Sequence, residues 1–109
     1  MPLARDHLHG TLDALILKTL AGGPRHGYAI TRWLSETSDR LIQVEEGSLY
    51  PALYRMERDG WIAAEWGVSQ HGRRARIYRL TPEGRRRLRV ETVRFREFVT
   101  AVSPILLPA

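Results

Sequence analysis

A chain of 109 residues has room for one compact domain and one element reaching outside it, because the core that such a length can bury is small. With no cysteine, a disulfide framework and a thiolate metal site are both excluded, and a reducing cytoplasm is the expected setting. A net charge of +5 points to an anionic partner, while the absence of any apolar run near the roughly 20 residues of a membrane span, or of a signal-peptide stretch, argues against membrane and export.

In chain order, Leu12, Leu15, Ile16, Leu17 and Leu20 recur at spacings of three and four and predict an amphipathic helix from His9 to Leu20, stopped by Gly22-Gly23-Pro24. A second helix is expected from about His26 to Thr37, with Tyr28, Ala29, Ile30, Trp33 and Leu34 as its apolar stripe. Leu41 to Glu46 leads into Gly47-Ser48, where Ser48 is a plausible N-cap for a third helix. Pro51 then falls in that helix's first turn, and Asp59-Gly60 closes it. Two strands, Trp61–Trp66 and Arg76–Leu80, flank a polar turn over 67–75 and form a hairpin with a basic tip. Thr81-Pro82-Glu83 combines an N-cap, a first-turn proline and a first-turn acid, so a fourth helix should start there and run to about Val102, ended by Ser103-Pro104.

Three helices followed by a hairpin is the order of a winged helix-turn-helix, a mainly α fold with a small β wing; here a long C-terminal dimerisation helix follows it. The expected division is a DNA-binding unit over residues 1–80 and a dimerisation helix and tail over residues 81–109. The charge fits that division: residues 1–72 carry seven basic and nine acidic side chains, residues 73–109 ten and three. All but Lys18 of the 17 basic residues are arginine, whose planar fork suits phosphate oxygens and guanine edges. On the third helix, Ser48, Tyr50, Tyr54 and Arg55 are expected to face outward beside a helix N-terminus that suits a phosphate, with Leu49, Leu53 and Met56 on the core side. At the hairpin tip, Arg73, Arg74 and Arg76 cluster beside Gly72, favouring phosphate or minor-groove contact over a merely solvated loop. Arg79 lies further down the strand, where pairing with Glu65 is an equal reading.

Several segments together resemble the PadR-type transcriptional regulators: Gly10-Thr11-Leu12-Asp13-Ala14-Leu15-Ile16-Leu17, His26-Gly27-Tyr28-Ala29-Ile30, Glu46 to Glu57 with its Gly-Ser-Leu-Tyr-Pro-Ala-Leu core, Asp59-Gly60-Trp61-Ile62, and Tyr78-Arg79-Leu80-Thr81-Pro82-Glu83-Gly84. The resemblance implies a winged-helix protein that binds operator DNA as a homodimer and usually represses, with Tyr28, Ser48, Tyr50 and the wing arginines at or near the DNA. The short C-terminal region resembles the subgroup with a single helix there. Leu12, Leu88, Phe95, Phe98, Val99, Val102 and Leu106 are then the expected dimer residues, against the alternative that the seam folds back on the first helix of its own chain.

An enzyme has little support. His7 and His9 diverge on a helix, His26 and His71 stand alone, and there is no glycine-rich phosphate loop, nucleophile elbow or diagnostic carboxylate pair. No metal or cofactor is implied. A winged-helix module for protein or RNA contacts is the rival reading, favoured by Glu45, Glu46 and Glu57 and opposed by the basic C-terminal third. A small-molecule effector is compatible with DNA binding, and no residue assigns one; Trp33, Trp61 and Trp66 read first as core.

Overall fold

The structure, a computed structural model, describes residues 11–69 and 71–107. The expected first turn of the first helix at His9-Gly10, the histidines His7 and His9, Gln70 in the hairpin turn and the tail residues Pro108 and Ala109 lie outside the described residues.

Helix α1 covers Leu12–Ala21 and α2 covers Gly27–Thr37, with a two-residue strand β1, Arg25–His26, between them. Nothing in the local pattern marks β1, because it exists through pairing with β3 (Arg74–Leu80): Arg25 faces Tyr78 and His26 faces Ile77. His26 also caps α2, its Nδ1 accepting from the Ala29 N–H at 3.2 Å. Helix α3 covers Glu46–Arg58, starting earlier than Ser48. Glu45 occupies the cap position without a side-chain bond, so Ser48 is a first-turn residue and Pro51 sits in the second turn, where it removes the donor that the Gly47 carbonyl would take. Gly47 and Pro51 are both exposed, so water can serve that carbonyl.

The end of α3, the start of β2 (Ile62–Val68) and the start of α4 (Pro82–Leu106) interlock. The Gly60 N–H donates to the Glu57 carbonyl and the Trp61 N–H to the Met56 carbonyl, the paired bonds of a Schellman closure. The Thr81 hydroxyl donates to the Gly60 carbonyl at 2.7 Å and accepts from the Gly84 N–H at 3.0 Å. Gly84 is buried against the Trp61 carbonyl so closely that a β-carbon would overlap it. The wing therefore hands α4 a fixed starting direction.

The sheet is antiparallel in the order β1-β3-β2, with Ile62 opposite Leu80 at its base and Val68 opposite Arg74 near its tip. The hairpin is longer than expected, so Arg74 is a strand residue. Ile16, Leu17, Ile30, Leu49, Leu53, Met56 and Ile62 form the centre of the core, contributed by all three first helices and β2. Helix α4 packs on α1 through its first turns and then leaves the body. It passes through Ser103-Pro104 instead of stopping there: the proline removes only the bond to Thr100, whose exposed carbonyl water can reach.

Candidate nucleic-acid interface

Helix α3 turns one clear face to solvent. Leu49, Ala52, Leu53 and Met56 are buried, while Gly47, Tyr50, Pro51, Tyr54 and Arg58, spaced by three and four, are exposed. Tyr54 is 72% exposed and free for contact. Tyr50 lies back across the start of α2, where a β-carbon at Gly27 would stand 2.6 Å from its hydroxyl oxygen. The absence of a side chain at Gly27 lets the ring settle there. Tyr28, the next residue of α2, is 58% exposed. Tyr28 stacks on His26 and receives the Arg32 guanidinium over its ring at 5.9 Å.

The arginines divide into two groups. Arg73 and Arg74 are exposed at the wing tip. Arg55 and Arg76, expected to face a nucleic acid, are instead committed within the chain. Arg55 makes a two-pronged pair with Asp13 of α1, at 2.6 and 2.9 Å; these bonds are the chief reason its guanidinium is held above the ordinary arginine value. Arg76 donates to Glu57 of α3 at 2.8 Å, tying the wing to the end of that helix, and its Nε is buried without a partner. Ser48 is half-buried at the rim of the outward face. No ion pair joins Arg79 to Glu65 among the described residues; Arg79 faces Ala63 across the hairpin. The α3 N-terminus is a poorer anion site than expected, because Glu45 and Glu46 stand exposed there and repel a phosphate.

Two arginines escaped the sequence reading. Arg58 shares the outward face of α3, four residues beyond Tyr54, and Arg32 lies one turn beyond Tyr28 on α2. Helical periodicity carried from the tyrosines would have found both. Among the described residues no cluster of three or more His, Asp or Glu side chains has the form of a metal site.

On α4, Phe95, Phe98, Val99 and Leu106 are exposed and Val102 half-exposed, in one stripe of three- and four-residue steps. Leu12 and Leu88 pack instead against their own core. The first part of the seam thus folds back on the body and the remainder does not. Val90, Val93, Ile105 and Leu107 are also exposed.

Three helices, a wing joined to the third of them and a long helix beyond define a winged helix-turn-helix protein. The profile described as "Transcriptional regulator PadR-like family" matches residues 16–90. The chain belongs to this family of DNA-binding transcriptional regulators and is not an enzyme. It is 38% identical over 81 residues to the transcriptional regulator Rv3488 of Mycobacterium tuberculosis, covering 74% of this chain and 72% of that one. A transcriptional regulator from Clostridium thermocellum has the same fold, with a TM-score of 0.84 and 28% identity over 93% of this chain and 98% of that one. A PadR family regulator from Eggerthella lenta is similar, with a TM-score of 0.80 and 31% identity over 95% and 88% of the two chains. No described helix is long and apolar enough to cross a membrane.

Proposed function

We propose that the protein is a homodimeric repressor that acts in the cytoplasm on a palindromic operator, with α3 in the major groove and the wing on the flanking backbone. The observation that carries this reading is the outward face of α3, whose Tyr50 lies against the start of α2 next to the exposed Tyr28 in sequence, together with a wing that the Glu57–Arg76 pair ties to α3 and that carries the exposed Arg73 and Arg74 at its tip. Tyr50 and Tyr54 meet base edges or sugars, Tyr28 and Ser48 the adjoining backbone, and Arg73 and Arg74 phosphates. Arg55 and Arg76 serve the same end indirectly, by holding the helix to α1 and the wing to the helix.

Residues up to 80 carry the DNA-binding unit and those from 81 onward the dimer contact, joined at the Thr81–Gly84 lock. The exposed stripe from Phe95 to Leu106 supports a second copy as its cover, since no described residue of its own chain buries that much apolar helix. Two-fold symmetry then matches a palindrome, with half-sites one helical turn or a multiple of it apart. Repression is the sign that the family resemblance implies.

Selection of bound duplexes from a random pool tests the reading. A palindromic consensus is expected for the wild type, and a loss of specific binding for Tyr50→Ala and for Arg73 and Arg74 changed to alanine. Specific binding that survives all three substitutions would contradict the site. A flat response of affinity to salt would count against the DNA reading.

A further inference from the structure

We propose that Trp66 is a positioning residue for DNA binding, a platform that holds the Arg74 guanidinium ready for a phosphate. The inference rests on the reading that the wing meets the DNA backbone. Trp66 lies on β2 beyond the core and is 59% exposed, an unusual place for the largest side chain unless something uses its surface. The guanidinium carbon of Arg74 lies 4.4 Å from its ring centroid, and that of Arg76 lies 5.9 Å away. In the hairpin register Trp66 faces Arg76 and Val68 faces Arg74, so Arg74 is the diagonal neighbour of Trp66 on the same face of the sheet.

The chain of contacts begins on the recognition helix. Glu57 of α3 fixes Arg76, Arg76 abuts Trp66, and Trp66 carries Arg74. A guanidinium lying against a ring keeps its N–H donors in a plane at its rim, where a phosphate can be met by two parallel bonds. The rotamer freedom of Arg74 is also reduced before DNA arrives, so less is lost on binding. Arg73, exposed at the turn, has no ring or carboxylate partner among the described residues and lacks this preorganisation. The stacked arginine and the recognition helix therefore share one mechanical frame.

The test titrates a fluorescein-labelled mixed-sequence duplex, over a salt series, with the full chain and its Arg74→Ala, Trp66→Ala, Trp66→Phe and Trp66→Ala/Arg74→Ala variants. Arg74→Ala should weaken binding and flatten the slope of log affinity against log salt by about one. Trp66→Ala should weaken binding roughly three- to ten-fold in the wild-type background and not at all when Arg74 is already alanine. Trp66→Phe, which keeps a ring face, should recover most of that loss; a general weakening of the hairpin is told apart by the Arg74→Ala background, where it would still lower affinity. Equal losses from Trp66→Ala with and without Arg74 would mean that Trp66 touches DNA itself or that its loss weakens the hairpin generally, and would overturn the proposal. So would a loss for Arg74→Ala with none for Trp66→Ala. If Arg74→Ala has no effect on affinity or slope, the wing reading itself fails and the proposal falls with it.

Discussion

The body of the protein and the far half of α4 are built from similar apolar residues at similar helical spacings, yet only the body buries them within the chain. In the body, Ile16, Leu17, Ile30, Leu53 and Met56 are shut off from water by one another, and the two strands close the base. Along α4, Phe95, Phe98, Val99 and Leu106 remain exposed and belong to no core cluster among the described residues. In the body three helices and a sheet converge on one centre, whereas the projecting part of α4 has no second layer among the described residues to pack on. Hydrophobic periodicity thus reports that a face will be buried and leaves open whose surface does the burying.

A self-sufficient core makes Leu53→Ala the most damaging change, with an expected cost of about 2–5 kcal/mol in urea unfolding, because Leu53 is fully buried. A loss under about 1 kcal/mol would contradict the place of Leu53 at the centre of the core. The junction comes next: Gly84→Ala forces a methyl group against the Trp61 carbonyl and the Leu80 side chain, and should lower stability by about 1–3 kcal/mol in a thermal melt. Asp13→Asn removes the charge that engages Arg55 at a partly exposed site, for about 1 kcal/mol by denaturant titration.

The smallest effect is at alkaline pH. Burial pushes the Tyr78 hydroxyl above its ordinary value of 10.0, with the Arg76 guanidinium opposing. The folded state therefore holds the phenol proton more tightly than the unfolded chain does. The resulting stability is full below pH 10.0 and is lost as pH rises through the folded value. Tyr78→Phe should make that alkaline decline shallower in melts run as a pH series, and an unchanged decline would assign it to other groups.

Elements with strong local signals were legible in the sequence. The period of α1 and α2, the glycine closing α3 and the Thr81-Pro82-Glu83 start of α4 all act within a few residues of themselves. β1 was not, because two residues become a strand only when Tyr78 and Ile77 arrive from across the chain. The start of α3 shifted because a good capping residue was present at Ser48 while the helix began two residues before it. Pro104 misled as a stop because one missing hydrogen bond at an exposed site does not end a long helix. The outward tyrosines of α3 followed from spacing. The commitments of Arg55 and Arg76 did not, since their partners lie 42 and 19 residues away in the chain.

Sedimentation equilibrium of the wild type and of Phe98→Glu is the most direct test of the contrast between a body that buries its own core and an α4 whose exposed stripe is proposed to be covered by a second copy. Phe98 is 62% exposed, so a glutamate there disturbs nothing inside the chain. The wild type should sediment at twice 12.5 kDa and Phe98→Glu at 12.5 kDa, with the helical circular dichroism of the body retained. A wild type that sediments at 12.5 kDa, or a Phe98→Glu variant that remains a dimer, would contradict the account.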